Sequence, residues 1–431
     1  MKQVVLKGFS VENYTSFADP TRFTCCADLS KKGFDLNTFN VGDDYINHVS
    51  YIYGANGSGK TLFSKVLREI QRYVALSPLS IISTAKLKDI LPRDELIRTV
   101  QPFAFDTEYK SKPTVFGLDL VIDKTTYHYQ FSVQNSEIVN EVLTKKYRRT
   151  EKILERTSSS NKDIHVKSEL KSFDSMKGTV KPNALCLSIA AMLNNQLAQT
   201  IIDTIQNINV LNMTAPRLHP SNREEAFSDA RIKKYVSILK KADPTILNMD
   251  ITFQEEEIGR QTIETDDFES REIIQKKSTV NVKTKHALYE RGDLLPDANP
   301  DIDFFRDESL GTVKLFTMLP HLFDTLETGG ILVLDEIENG LHLSLVKEII
   351  GLFNSPQSNP KNAQLICTTH QPLLVSSSVK RDQVWIITKD LYGKSSIERL
   401  SNLKTSRANY NISNKLMEGA FGCNPDRFFD N

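Results

Sequence analysis

The chain has 431 residues, 39% hydrophobic and 25% charged, the balance of an ordinary globular protein with room for a sizeable core. Lys plus Arg and Asp plus Glu each number 54, so no net field draws the molecule onto nucleic acid or acidic lipid, although a local basic face stays open. No apolar run approaches the roughly 18 residues of a membrane span, and the opening MKQVVLKGFSVENY lacks a signal-peptide core. Five cysteines (Cys25, Cys26, Cys186, Cys367 and Cys423) without a CxxC indicate neither a disulfide framework nor a zinc site; a cytoplasmic protein with no membrane attachment is expected.

In chain order, residues 3–13 read as a strand and polar turn, and residues 49–53 as a short buried strand. That strand runs into a Gly-rich loop at 54–59 and a helix from about 60 to 75. PTVFGLDLVID and TTYHYQFSV, within 113–143, alternate apolar and polar positions around a turn at Asp123–Lys124 and predict antiparallel strands. Residues 155–182 are Ser/Lys-rich and predict a loop or solvated hairpin; 184–212 and 228–241 have helical apolar spacing. The stretch 253–290 is polar and charged with many β-branched residues, and it is assigned to neither helix nor strand. GILVLDE (330–336) is a continuous apolar run ending in two acids, as in a buried parallel strand. A helix at 343–353 separates it from AQLICTTH (363–370), and QVWIITKD (383–390) is a further strand. Strands alternating with helices predict an α/β sheet, and no heptad run is long enough for coiled-coil arms.

Four segments carry chemistry. Gly54-Ala55-Asn56-Gly57-Ser58-Gly59-Lys60-Thr61 matches GxxxxGK[ST] between a strand and a helix, the context of a phosphate loop. Its glycines let backbone N–H groups turn inward around a β-phosphate, and the helix N-terminus adds its dipole. Lys60 would reach the β- and γ-phosphates and the Thr61 hydroxyl would hold Mg²⁺. Asp335, at a strand end, is placed to hold Mg²⁺ through water, and Glu336 to polarise an attacking water. Ser309 and Gly311, at a helix start near Val313, offer a hydroxyl and free N–H groups to an anion. His370, at the end of the next strand, can hydrogen-bond a γ-phosphate or the attacking water.

The order of phosphate loop, S-x-G, DE-ended strand and strand-end histidine resembles ABC-type ATPase heads, including SMC and RecF proteins. The resemblance implies an α/β P-loop NTPase of the ABC/SMC-head type, a mixed sheet with an antiparallel β lobe and a helical insertion. It implies lobes at 1–155 and 301–431 around an insertion at 156–300. Ser309-Leu310-Gly311 then stands as the signature, Glu336 as the catalytic glutamate, His370 as the switch histidine and Asn339–His342 in the D-loop place; Gln101 is a Q-loop candidate. A wider resemblance, carried by FSVENYTSFAD (9–19), KPTVFGLDLVIDKTTYHYQF (112–131), LKKADPTILNMDI (239–251), ESLGTVKLF (308–316), LVLDEIENGLH (332–342), TTHQPLLV (368–375) and the tail 407–425, is to stand-alone ATP-binding proteins of the RloA and AbiL-type abortive-infection kind. It implies ATP with Mg²⁺, an ATP-sandwiched head-to-head homodimer or higher oligomer, and a TOPRIM/OLD-like nuclease effector encoded nearby. It further implies a role in phage defence with DNA or a phage protein as the cue. The alternative is a DNA-repair or DNA-binding ATPase of the RecF/SMC kind. The basic clusters Lys145–Arg149 and Lys276–Lys277 are expected to be solvated faces.

Overall fold

Val49–Gly54, Ile331–Asp335 and Gln364–Thr369 are strands buried along their whole length. Continuous burial requires cover on both faces, the setting of a parallel sheet. In the computed structural model, which describes residues 4–28, 37–81, 100–214, 223–264, 270–295, 300–375, 379–403 and 412–422, these strands lie inside a six-stranded sheet. Its order is Ile208–Asn212, Ile331–Asp335, Gln364–Thr369, Val49–Gly54, Val384–Lys389 and Ser395–Arg399. The first five run parallel and the last antiparallel. The strand ending in Asp335 is therefore not next to the phosphate-loop strand: Gln364–Thr369 lies between them.

The reading of 184–212 as helical needs correction. Helices Cys186–Met192 and Gln196–Gln206 fill most of it, but Ile208–Asn212 is the edge strand, with Asn212 opposite Asp335. Its backbone carbonyls are taken by side chains of the helix Lys60–Leu76: Arg68 donates to Val210 and Gln71 to Ile208. A five-residue run is too short for its period to separate strand from helix.

A second sheet of seven strands is antiparallel throughout and contains Val4–Glu12, Thr114–Ile122, Thr125–Gln134 and Glu137–Lys146. Its two-residue hairpin turns, Asp123–Lys124 and Asn135–Ser136, have positive φ at both positions, the twist that matches paired strands. Thr150–Arg156 and Ile164–Val166 continue this sheet through the stretch read as a loop or hairpin. Lys60–Leu76 is held against the sheet's apolar face, with the Phe63 ring 4.7 Å from Phe9 and Tyr73 5.5 Å from Phe131. The same helix packs on Val49–Gly54, Ile331–Asp335 and Gln364–Thr369, so both of its faces are buried.

Glu141 and Arg156 are fully buried on this sheet with hydrogen bonds. Glu141 accepts from the Tyr129 hydroxyl and the N–H groups of Cys186 and Leu187, at 2.9, 2.6 and 2.9 Å. Burial nevertheless pushes its carboxyl above the usual range. Arg156 donates to the carbonyls of Ser158, Ser159 and Ala184 at 2.8 Å each.

The chain divides into two compact units, Met1–Ala215 with Phe323–Asn431, and Pro216–Leu322. The second contains the helix Asp229–Ala242, the start of the helix Leu310–Thr328, and the stretch 253–290 left unassigned from sequence. That stretch is mostly a long antiparallel hairpin, Ile246–Glu264 with Ser270–His286. Its register sets Glu256 opposite Lys277 and Glu257 opposite Lys276. An aromatic cluster anchors the unit, with Phe304 4.9 Å from Phe316, and Tyr235 against Phe316 at 6.1 Å. No helix among the described residues is long and apolar enough to cross a membrane. Of the tail 407–425, residues 407–411 and 423–425, with Cys423, lie outside the described residues.

Candidate functional site

The loop from Gly54 to Gly59 has the conformation its glycines permit. Gly57 and Gly59 have φ of +77° and +113°, where a side chain is strained. A Cβ on Gly54 would lie 2.6 Å from the Ile387 carbonyl, and one on Gly59 2.8 Å from Ser395 Oγ. The Ser395 hydroxyl donates to the Ser58 carbonyl at 2.7 Å and lies 2.9 Å from Ser16 Oγ, clamping the loop from distant parts of the sequence. The Lys60 ammonium, 4% exposed, donates to the Gly54 and Ala55 carbonyls at 2.8 and 2.9 Å.

The acids follow on the neighbouring strand ends. Asp335 is 1% exposed; its Oδ1 accepts from the Thr368 hydroxyl at 2.7 Å, and its Oδ2 has no hydrogen-bond partner among the described residues. The N–H of Glu336 donates to the same Thr368 Oγ1 at 2.8 Å. Glu336 has φ +55°, left-handed for a non-glycine residue, and its Oε2 accepts from Asn339 at 3.0 Å. His370 Nδ1 lies 2.9 Å from Glu338 Oε1, which also accepts the His370 backbone N–H at 2.7 Å.

These elements meet at one cleft of about 380 Å³, lined by Asn56, Gly57, Gly59, Lys60, Thr61, Leu62, Glu336 and His370. Of the residues expected from sequence, seven line it together; Gly54, Ser58 and Asp335 are buried beside them in the chain and do not line it. Ser58 Oγ is, like Asp335 Oδ2, buried without a partner among the described residues. Gln101 is exposed and does not line the cleft; its carbonyl accepts from Thr15 N–H at 3.0 Å.

Ser309 and Gly311 belong to the unit Pro216–Leu322. There Ser309 caps the helix Leu310–Thr328: its Oγ accepts from Thr312 N–H at 3.1 Å and lies 2.8 Å from Thr312 Oγ1. The helix starts at Leu310, three residues before the expected Val313, and puts Gly311 in its first turn. Glu308 accepts from the Thr284 hydroxyl and pairs with His286 at 2.6 Å, fixing the chain just ahead of the cap.

Four residues here escaped sequence reasoning: Thr368, Glu338, Ser16 and Ser395. Thr368, Glu338 and Ser16 lie inside segments already quoted, and for Thr368 a polar residue in a buried strand was an available signal. Ser16 and Ser395 meet the loop only in three dimensions.

The chain matches the family model described as "AAA domain, putative AbiEii toxin, Type IV TA system" over residues 49–176 and 217–376, more than half its length. No curated protein matches it. Among solved structures, the SMC head domain from Thermotoga maritima aligns with 93% of this chain and 99% of its own, at 12% identity and a TM-score of 0.33. A TM-score that low carries no argument about this chain. With the phosphate-loop strand inside a parallel sheet and the acids two strands away, the extent of the family match shows that the chain belongs to this AAA-domain family and is an AAA-type P-loop ATPase.

Proposed function

We propose that the cleft binds ATP with Mg²⁺ and hydrolyses it, and that the ATPase is a homodimeric switch in the cytoplasm that controls a nuclease effector in phage defence. The observation that carries the catalytic part is the convergence of Lys60 and Thr61 with Glu336 and His370 on one cleft. Asn56, Gly57, Ser58, Gly59 and Gly54 shape the loop, and the Lys60 ammonium supplies the positive charge for the phosphates. The residues present fit Mg²⁺: Asp335 offers a buried carboxylate oxygen without a partner among the described residues, which costs free energy until a cation or its water satisfies it. Thr61 and Asp335 would hold the ion, which supplies charge neutralisation for the phosphates when bound. Glu336 is the base that orients water, and His370, held through Nδ1 by Glu338, presents its other ring nitrogen as a hydrogen-bonding group.

Ser309 and Gly311 serve, in this reading, the nucleotide of a second copy. The RloA/AbiL resemblance supports the dimer and the defence role, and the toxin–antitoxin wording of the family description agrees with work alongside a partner.

The test uses two variants. Lys60→Ala removes charge-assisted hydrogen bonds worth about 1.5–3 kcal/mol, so a fluorescent ATP analogue should bind roughly 10- to 150-fold more weakly. Glu336→Gln should bind it normally and turn over about 10²- to 10⁴-fold more slowly. Unchanged affinity in the first variant, or wild-type phosphate release in the second, overturns the assignment.

A further inference from the structure

We infer that Thr368 is a positioning residue for this chemistry, one hydroxyl that orients the Asp335 carboxylate toward Mg²⁺ and fixes the turn that presents Glu336. The inference rests on the ATPase reading and deepens it. Thr368 is fully buried on Gln364–Thr369, the strand inserted between the phosphate-loop strand and the strand ending in Asp335. A hydroxyl has one proton to give, and here it goes to Asp335 Oδ1 at 2.7 Å. Its lone pair is then free for the Glu336 N–H, at 2.8 Å, so the three groups form a directed chain from backbone to hydroxyl to carboxylate.

Two consequences follow. The carboxylate is held by one oxygen while Oδ2 keeps no partner among the described residues, the state in which a carboxylate can serve a cation or its water. The backbone of Glu336 is also pinned at φ +55°, a conformation that persists in a non-glycine residue only when its surroundings fix it. Thr368 adds a second hold there, since its carbonyl accepts the Ile337 N–H at 3.2 Å. A β-branched side chain has few χ1 states in a strand, so the hydroxyl costs little entropy to keep in place. Valine has the same shape without the hydroxyl; serine has the hydroxyl without the methyl group.

The experiment titrates Mn²⁺ into wild type, Thr368→Val and Thr368→Ser in the presence of a fluorescent ATP analogue. It reads metal binding by electron paramagnetic resonance, then kcat and KM for ATP with Mg²⁺. Removing a group that orients a ligand typically weakens metal binding about 10- to 100-fold, and that rise in the half-maximal Mn²⁺ concentration is expected for Thr368→Val. A fall in kcat should accompany it, analogue binding in EDTA should stay at the wild-type level, and Thr368→Ser should recover both properties. A valine variant with wild-type metal requirement and kcat overturns the inference. So does one that loses metal-free binding to the same extent as metal-dependent binding, because the residue then only supports the fold. Should the valine variant fail to fold, Thr368→Cys replaces it; its weak S–H donor must raise the metal requirement, and an unchanged requirement overturns the inference equally. Wild-type protein that binds no nucleotide would instead overturn the ATPase reading, a result distinct from a binding-competent protein indifferent to the hydroxyl.

Discussion

On the antiparallel sheet, Asp119 accepts from His128 Nδ1 at 2.6 Å and from Arg22 at 2.8 Å, and the two titrating partners shift in opposite directions. The hydrogen bond to Asp119 raises the His128 pKa above its ordinary 6.5, against burial. Burial alone would raise Asp119, but the bond and charge of His128, with Arg22, bring it below its ordinary 3.8. The raised histidine contributes stability that is complete below the unfolded value of 6.5 and fades as pH rises through the folded one. The lowered aspartate contributes above 3.8 and fades as pH falls through its folded value. The pair therefore stabilises most between those two values. Because His128 is 38% exposed, the gain is about 0.5–1 kcal/mol. Melting temperatures of wild type and His128→Gln, measured from pH 3 to 9, should differ most in that window and converge at both ends; a constant difference would show that the loss is one of packing.

Among the elements, the phosphate loop shows how tertiary contacts set a local conformation. The motif supplies glycines, but the shape depends on the Ser16–Ser395 clamp and on the close approach of Ile387. Gly59→Ala meets both obstacles at once: φ of +113°, and a Cβ 2.8 Å from Ser395 Oγ. The strained backbone costs about 1–3 kcal/mol, and relief requires the loop to open at Lys60. Both a lower melting temperature and weaker ATP binding are expected, read from thermal unfolding with and without ATP. If ATP stabilises the variant as much as wild type, the shape of the loop does not determine nucleotide binding.

For the whole molecule, the proposed clamp calls for two copies of the chain. Ser309 is exposed and belongs to the unit Pro216–Leu322, whereas the buried Lys60 belongs to the other unit. If each signature serves the partner's nucleotide in a two-fold dimer, Ser309→Arg should spare ATP binding yet block hydrolysis. A heterodimer of Ser309→Arg with Lys60→Ala has one site with both lesions and one with neither. Phosphate release should therefore return in the mixture to a fraction of wild type, after each variant alone has proved inactive. A mixture that contains demonstrated heterodimers and stays inactive rules out independent composite sites.

The sequence by itself determined the elements whose information is local. GANGSGKT needs only its own glycines and the helix behind it to be legible, and a run such as ILVLDE reads as a strand covered on both faces, the usual setting of a parallel sheet. The Asp123–Lys124 turn was equally visible between two alternating runs. Tertiary structure alone decided the rest. Ile208–Asn212 is a strand because Ile331–Asp335 offers it a free edge, not because its five residues favour one. The hairpin of Ile246–Glu264 with Ser270–His286 alternates apolar and polar positions only in part, at Leu247–Phe253 and Val280–Val282, while charged positions fill much of the rest, so its length shows only in the pairing. Thr368 became informative once the sheet order placed its strand between the phosphate loop and the acids, and Ser16 and Ser395 once the fold brought them to Ser58. A motif records which groups the chemistry needs; which neighbours orient them depends on strand order, and strand order comes from long-range pairing that no local pattern encodes.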